Sequence, residues 1–345
     1  MLFLVLHVVG NAAFALLVKV ARAHRFDYPL VGVANYATAA AVSLVALALA
    51  GLPSLDARAA LYGVVNGLQY QTTYLLMYVL IGMAGIAVTS SFLRLAVAVP
   101  VVASIGIWRE WPTPIQALGL LLAGGALPLF GSGARRRFSA PAGAEPAVAA
   151  VAVPAEPVPV PAPAAKRPPA ALPPSRAGVA ALIGATVLIS GCGLLAAKAF
   201  AELGHPEQRP VYVAAVYVAA TLLSACAWPW RGRFRPVHSS QFTVDGSQFA
   251  GGKGAPISRG VRTGHPQAYS VLLGMAIGLV NVGQIWVLLP ALAQVPGVIA
   301  FPLAAAGGLA LAALGGWLFW REPLGGRTGG GIVLAVLAAA LANAR

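Results

Sequence analysis

The sequence predicts an all-α polytopic membrane protein whose ten transmembrane helices form two five-helix inverted repeats. Hydrophobic residues make up 59% of the 345-residue chain and charged residues only 9%, whereas a soluble protein has about 25% charged residues. The mean hydropathy is +0.80. Apolar stretches of about 20 residues span the hydrocarbon layer as helices, and the second half of the chain repeats features of the first.

The apolar stretches fall into two groups of five. The first five stretches span 1–21, 29–51, 59–80, 84–107 and 114–131. The second five stretches span 177–200, 210–230, 268–291, 295–319 and 328–343. The sequence therefore predicts two membrane units, 1–131 and 177–345.

Two polar segments interrupt this pattern. The segment 132–176 joins the units and is rich in Ala and Pro, most densely between Pro154 and Pro163. Such a composition cannot bury a core, so we expect a disordered tether; a docking motif for proline-binding modules is the alternative. The loop 231–267 is polar, basic and glycine-containing, and we expect it to be flexible.

Short motifs recur at corresponding places in the two units. Trp108-Arg109-Glu110 reappears as Trp320-Arg321-Glu322, and a glycine opens the next apolar run nine residues after each glutamate. The other matches pair Asn66 with Asn281, Gln69 with Gln284, Asn11 with Ser190 and Lys19 with Lys198. Because each unit has an odd number of helices, the second enters the bilayer from the opposite face. The units should therefore be related by a pseudo-two-fold axis in the membrane plane.

This arrangement resembles the EamA-type repeats of the drug/metabolite transporter superfamily. The resemblance covers essentially all ten helices and is carried by the glutamate that closes each unit's fourth helix, as in Glu322-Pro323-Leu324. In the first unit Trp111-Pro112 follows Glu110 in place of Pro-Leu. The proton-coupling glutamate familiar in the first helix of small multidrug transporters has no counterpart in this sequence. The resemblance implies a ten-helix permease for small metabolites or drugs.

The distribution of basic residues predicts the orientation. The net charge is +14, and 17 of the 23 Lys and Arg residues fall on one side of the ten-helix arrangement. By the positive-inside rule the linker 132–176 is cytoplasmic and both termini are external, in the cytoplasmic (inner) membrane. Members of the superfamily are usually described with cytoplasmic termini. Basic loops on a polytopic protein are ordinary orientation signals, so no nucleic-acid partner is expected.

Arg94 is the sharpest functional candidate, because it lies well inside the fourth predicted helix. A central arginine costs at least about 2.5–3.5 kcal/mol on the insertion scale and normally faces a cavity or a partner. It could bind a substrate carboxylate or phosphate through its planar fork. The alternative is pairing with backbone carbonyls or extension to the membrane interface.

Matched amides in the third and eighth helices are the second group of candidates. Asn66 and Gln69 correspond to Asn281 and Gln284. They could line a substrate cavity between the halves or form hydrogen bonds between helices. Two aromatic neighbours, Tyr70 and Trp286, join this group, although such rings also form interfacial belts.

Three further residues are candidates for a cavity mouth or for coupling. Lys19 and Lys198 end the first and sixth helices, either as interfacial anchors or as cationic groups guarding the cavity mouths. His7 is either a packed polar residue or a proton-handling group. The Trp-Arg-Glu triplets are expected to be structural, with a local Arg–Glu ion pair at each helix end.

These features favour a secondary transporter that works by alternating access. Its substrate would be a small polar metabolite, more anionic or zwitterionic than cationic because of Arg94, or a drug. The alternative is a lipid-handling protein, either a flippase or a membrane-embedded enzyme acting on a phosphorylated lipid. The sequence shows no nucleophile with an acid–base pair and no metal cluster at membrane depth, so neither enzymatic activity nor a cofactor is expected. The expected partners are the lipid bilayer and a small-molecule substrate.

Overall fold

The computed structural model describes residues 1–24, 26–51, 53–84, 93–138, 176–203, 205–230, 267–321 and 325–342. These residues are about 90% helical and contain no β-strand. The α-helices are α1 (Leu2–Ala23), α2 (Tyr28–Leu49), α3 (Ala57–Ala84), α4 (Ala98–Gly106), α5 (Pro114–Phe138), α6 (Arg176–Glu202), α7 (Arg209–Ala227), α8 (Gln267–Gln294), α9 (Gly297–Trp320) and α10 (Gly326–Ala342). Short 3₁₀ helices span Arg94–Val97, Pro206–Gln208 and Trp228–Trp230. The all-α class is confirmed.

Among the described residues, six helical stretches are long and apolar enough to cross a membrane. They are Leu2–Ala21, Tyr28–Leu49, Ala177–Glu202, Pro206–Ala227, Gln267–Gln294 and Gly297–Trp320. Helix α3 has 28 residues but is not among the six, because its amides and hydroxyls lower its hydropathy. Shorter apolar helices span Leu95–Gly106, Pro114–Leu127 and Gly326–Leu341. The chain is therefore a helical protein suited to crossing a membrane several times.

Two predicted helices differ from the structure. Of the predicted helix 84–107, residues 85–92 lie outside the described residues, and the described remainder holds the 3₁₀ turn Arg94–Val97 followed by α4. Pro100 has no N–H to donate to the carbonyl four residues earlier, which favours this change of helix type. Helix α5 continues to Phe138, past its predicted end at 131 and into the predicted linker. Residues 139–175 of the linker and 231–266 of the predicted loop lie outside the described residues, and Arg176 already begins α6.

Local sequence signals define where helices begin. The Asp27 side chain accepts a hydrogen bond from the Leu30 N–H at 3.3 Å, which caps the start of α2. At the start of α5 the Gln116 N–H donates to Thr113 Oγ1 at 3.3 Å, and the Thr113 N–H donates to Gln116 Oε1 at 3.0 Å. This reciprocal pair is a capping box, which satisfies backbone N–H groups that the helix leaves unpaired.

The most extensive helix interfaces join helices from different halves of the chain. Helix α2 packs against α8 and α7, and α3 packs against α7 and α6. Helix α1 packs against α8 and α9, whereas α4 packs against α6 and α9, and α5 packs against α10. Fully buried alanines such as Ala39, Ala220 and Ala306 line the core, where small side chains let helix backbones approach closely. The two halves are thus interleaved.

Loop contacts define the two ends of the bundle. The Gln208 side chain donates to the Ser54 carbonyl at 2.9 Å and accepts from the Asp56 N–H at 3.3 Å. These bonds hold the α2–α3 and α6–α7 loops together at what we call the distal end. At the other, proximal end the Asp27 N–H donates to Ser270 Oγ at 3.2 Å, which joins the α1–α2 loop to the start of α8.

Candidate functional site

Two asparagines predicted from the repeat form hydrogen bonds between the halves. Asn66 on α3 is buried, and its Nδ2 donates to the Tyr212 hydroxyl on α7 at 2.7 Å. Asn281 on α8 donates from Nδ2 to Asn35 Oδ1 on α2 at 3.3 Å. The amide oxygen of the same side chain, Asn66 Oδ1, is buried and has no hydrogen-bond partner among the described residues. Both matched asparagines therefore lie where the halves meet.

Glycines bring the helix backbones together one turn before these asparagines. A Cβ on Gly63 would lie 2.5 Å from the Tyr212 carbonyl oxygen, and a Cβ on Gly278 would lie 2.5 Å from the Asn35 carbonyl oxygen. Real side chains do not approach a carbonyl so closely. The close approach of α3 to α7, and of α8 to α2, therefore requires glycine at both positions.

An aromatic cluster lies beside Asn281. The Tyr217 hydroxyl donates to the Asn281 carbonyl at 2.7 Å, and the Tyr36 hydroxyl donates to the Tyr70 carbonyl at 3.2 Å. The ring centroids of Tyr70 and Tyr217 are 6.4 Å apart. Tyr70, a predicted candidate, thus contributes its ring and its carbonyl to this cluster. Sequence reasoning missed Tyr217, because tyrosines in an apolar helix also suit the membrane interface.

Gln69 lies against the first helix of the other half. Its Nε2 donates to Thr73 Oγ1 at 2.9 Å, and Thr73 Oγ1 is 3.0 Å from Ser190 Oγ on α6. Gly193 on α6 leaves the space that the Gln69 side chain occupies, since a Cβ there would overlap the amide. The Gln69 amide is therefore buried, and the hydroxyls of Thr73 and Ser190 continue its hydrogen bond from α3 to α6.

Gln284 on α8 lies against α1, the first helix of the first half, just as Gln69 on α3 lies against α6. A Cβ on Gly10 of α1 would lie 2.6 Å from Gln284 Cγ. His7, one turn earlier on α1, is buried, and its Nδ1 is 3.1 Å from the Gln284 carbonyl oxygen. The predicted candidates His7 and Gln284 are therefore neighbours at the α1–α8 contact. Trp286 is partly buried and packs against the hydrophobic core.

Two other polar residues of this region stand apart. Gln71 is buried, and its Oε1 has no hydrogen-bond partner among the described residues. Arg94 begins the 3₁₀ turn Arg94–Val97, but its side chain lies outside the described part of the structure. Anion binding by Arg94 therefore stays a prediction.

Lys198 lies in a buried ionic cluster that sequence reasoning did not anticipate. Its side chain is 1% exposed, and Nζ is 2.5 Å from both Glu110 Oε1 and Glu202 Oε1. Glu110 Oε2 accepts the Val298 N–H at 3.2 Å, where the positive end of the α9 dipole favours a carboxylate. The cluster joins the end of α6, the segment after α4 and the start of α9.

This geometry corrects two interpretations of the sequence. The Lys198 side chain does not extend outward as an interfacial anchor does, since its ammonium group is buried between two carboxylates. Glu110 pairs with Lys198 instead of with its neighbour Arg109, which is exposed and has a left-handed backbone with φ 55°. Arg321, the counterpart of Arg109, has φ 53°. Glu322, the counterpart of Glu110, lies outside the described residues.

A lysine and a tryptophan from different halves meet at each end of the bundle. Lys19 Nζ is 4.5 Å from the centroid of the Trp320 ring at the proximal end. Lys198 Nζ is 5.8 Å from the centroid of the Trp108 ring at the distal end. Both distances lie in the range of cation–π attraction. Each pair connects the first helix of one half to the end of the fourth helix of the other.

The remaining polar chemistry of the described region is sparse. Cys192 and Cys226 are free thiols at exposed positions. Within the described ranges, no group of three or more His, Cys, Asp or Glu side chains could hold a metal ion. The cluster at Lys198 and the amides between the halves are therefore the main candidates for function.

Comparisons with known proteins support the fold. No family model and no curated protein matches the chain. The chain is similar to a solved structure described only as "Crystal structure of protein", with 15% sequence identity and a TM-score of 0.64. The match covers 99% of this chain and 95% of the other. The likeness thus extends over the whole helical architecture and concerns the fold alone.

Proposed function

We propose that the protein is a secondary transporter of the EamA type in the drug/metabolite transporter superfamily. It would carry a small polar metabolite, preferably anionic or zwitterionic, or a drug across the cytoplasmic membrane by alternating access. Ten transmembrane helices would form two inverted five-helix halves. The observation that carries this proposal is the reciprocal packing of the halves.

The packing is reciprocal at the level of helices. If the halves exchange places, the α2–α8 contact becomes the α7–α3 contact, and the α1–α8 contact becomes the α6–α3 contact. In the same way the α1–α9 contact becomes the α6–α4 contact. The α2–α7 and α5–α10 contacts each join equivalent helices of the two halves, so the exchange leaves them unchanged. A two-fold axis between the halves would produce these matched contacts, because each of them then occurs twice or lies on the axis. The smaller α5–α9 and α9–α10 contacts have no such counterpart among the described residues.

Individual residues follow the same exchange. The bond from Asn66 to Tyr212 corresponds to the bond from Asn281 to Asn35. Gly63 against Tyr212 likewise corresponds to Gly278 against Asn35. The hydrogen bonds and the close glycine contacts therefore support the same symmetry.

The loops support inversion. The α6–α7 loop meets the α2–α3 loop at the distal end through Gln208. The α1–α2 loop is the counterpart of the α6–α7 loop in the first half. It meets the start of α8 at the proximal end through Asp27 and Ser270. Equivalent loops at opposite ends of the bundle are what an axis in the membrane plane requires. Inverted halves give a transporter two interchangeable conformations, one open to each side.

The polar residues suit a substrate site between these halves. Asn66, Gln69 and Gln284 are buried where the two halves contact each other. A 3₁₀ turn begins at Arg94, and irregular backbone at membrane depth is tolerated where it is buried in protein or lines a cavity. The Arg94 guanidinium would bind a carboxylate or phosphate, and the buried amides would hydrogen-bond the rest of a polar metabolite.

The first test measures which ligands stabilise the purified protein. Melting temperatures would be recorded in detergent across anionic, zwitterionic and cationic metabolites, with a phosphorylated lipid included. A ligand that binds the folded state contributes about 2.7 kcal/mol at a hundredfold excess over its dissociation constant. We expect anionic or zwitterionic metabolites to raise the melting temperature of the wild type. The same shift is expected for the control Arg58→Gln, an exposed arginine on α3, and is expected to be lost in Arg94→Gln.

Other outcomes would contradict parts of the proposal. Stabilisation that persists in Arg94→Gln would remove Arg94 from the site. Stabilisation by cations alone would replace the anionic preference with a cationic drug. A response confined to the phosphorylated lipid would favour a lipid-handling protein.

A further inference from the structure

We propose that Lys198 and Glu110 form a gate at the distal end, and that the protein opens on this side when the two residues separate. This inference rests on the proposed transport function, because a gate is needed only where a pathway opens. We call Lys198, Glu110 and the first turn of α9 the distal gate.

The gate connects the two halves through a buried charge pair. Lys198 is 1% exposed and Glu110 is 15% exposed, with 2.5 Å between their charged atoms. Glu110 belongs to the first half, whereas Lys198 and Val298 belong to the second. A lysine at a helix end normally extends its ammonium group towards water. Here it points into protein, where contacts with Glu110 and Glu202 stabilise its burial.

Tight packing closes the space around this pair. A Cβ on Gly297 would lie 2.5 Å from Ser104 Oγ and 3.0 Å from Lys198 Cε. Ser104 is fully buried on α4, and its carbonyl accepts the Glu110 N–H at 3.1 Å. Helices α4, α6 and α9 therefore meet at the gate without room for a substrate to pass.

The second carboxylate makes the contact reversible. Glu202 lies on the same helix as Lys198, one turn later, and is 38% exposed. It would move together with Lys198 when the halves separate. The lysine then keeps one charge partner and loses only Glu110, which avoids the large cost of an unpaired buried charge.

The proximal end carries the related pair. Lys19 lies over the Trp320 ring, and the two residues link α1 to the end of α9. Each end of the bundle thus has a lysine from one first helix against a tryptophan that closes the other half's fourth helix. Alternating access requires a closure at each end, and this arrangement places a lysine contact between the halves at each end.

The test uses the reactivity of a cysteine behind the gate. In a background with Cys192→Ala and Cys226→Ala, the reporter Ser104→Cys is treated in membrane vesicles with a membrane-impermeant maleimide. The reagent is added on the side that labels His205→Cys, because His205 is exposed in the distal α6–α7 loop. Glu110→Gln should raise the labelling rate of the reporter about tenfold by shifting the population towards the open state.

A matched control and a second substitution keep the test decisive. Glu207→Gln changes an exposed carboxylate of the distal loop and should leave the labelling rate at the parent value. Lys198→Met should accelerate labelling, whereas Lys198→Arg should keep it slow, which decides the case if Glu110→Gln does not fold. Labelling as slow in Lys198→Met as in Lys198→Arg would overturn the gate, as would equal acceleration by Glu110→Gln and Glu207→Gln.

The result is separable from the outcome for transport, because labelling needs no substrate. If Glu110→Gln accelerates labelling but no ligand raises the melting temperature, the distal contact is movable and the proposed transport function is contradicted. Ligand stabilisation with unchanged labelling would overturn the gate and leave the transporter in place.

Discussion

Tyr212 illustrates how single residues hold the two halves together. Its side chain is fully buried on α7, and its hydroxyl accepts the hydrogen bond from Asn66 at 2.7 Å. Its ring stacks on Phe200 with 4.3 Å between centroids. The hydrogen bond satisfies a buried amide that has no access to water, so its loss should cost more than its formation contributes.

Replacing the tyrosine tests this argument. Tyr212→Phe keeps the stacked ring but leaves Asn66 Nδ2 without its partner, which should destabilise the protein by about 1–3 kcal/mol. The measurement is the thermal unfolding midpoint in detergent. Tyr62→Phe is the matched control, since the Tyr62 hydroxyl has no hydrogen bond in the described part of the chain. Equal midpoints for the two variants would show that the Asn66–Tyr212 bond contributes nothing.

The sequence predicted residues that occur twice and missed residues whose partners are distant. Asn66 was found because Asn281 repeats it, and both proved to lie between the halves. Tyr212 was missed, because a tyrosine in an apolar helix carries no sign of depth. The pairing of Lys198 with Glu110 spans 88 residues, and no spacing rule connects side chains that distant. Only folding brings them together.

At the scale of helices, glycines determine how closely the halves approach. Gly278 on α8 faces the backbone of α2 at Asn35, and Gly63 on α3 faces the backbone of α7 at Tyr212. In lipid, helix association depends on close packing and hydrogen bonds instead of on apolar burial. These crossings should therefore contribute strongly to assembly.

A pair of glycines on α8 tests this point. Gly278→Ala should separate α8 from α2 and lower the unfolding midpoint, because the new Cβ would lie 2.5 Å from the Asn35 carbonyl oxygen. Gly283 has nothing within 4 Å of such a Cβ. Gly283→Ala should be neutral or stabilising by about 0.5–1 kcal/mol, the ordinary gain in a helix interior. A midpoint for Gly278→Ala equal to that of Gly283→Ala would contradict the close crossing.

Most helices were predictable from apolar length alone. The predicted stretch 268–291 corresponds to α8 at Gln267–Gln294, and 295–319 corresponds to α9 at Gly297–Trp320. The exceptions have local causes. Hydropathy carries no information on the backbone effect of Pro100, which favours a 3₁₀ turn before α4. The basic end of α5 has low hydropathy and was therefore predicted as linker, although arginine is a good helix former.

At the scale of the molecule, the interleaved halves restrict how the protein can move. Helices α2, α3, α7 and α8 contact one another across the halves and form the centre of the bundle. The lysine contacts lie outside this centre, where α1 meets α9 and where α6 meets α4. We therefore expect the conformational change to repack these outer helices around a central group that stays assembled.

Counterflow in proteoliposomes measures alternating access itself. Vesicles containing the purified protein are loaded with an unlabelled metabolite that stabilises it, then diluted into a trace of the labelled compound. A transporter that alternates between two open states should accumulate the label transiently, and Arg94→Gln vesicles should not. Uptake no faster than in protein-free vesicles, for every compound that stabilises the protein, would contradict the account.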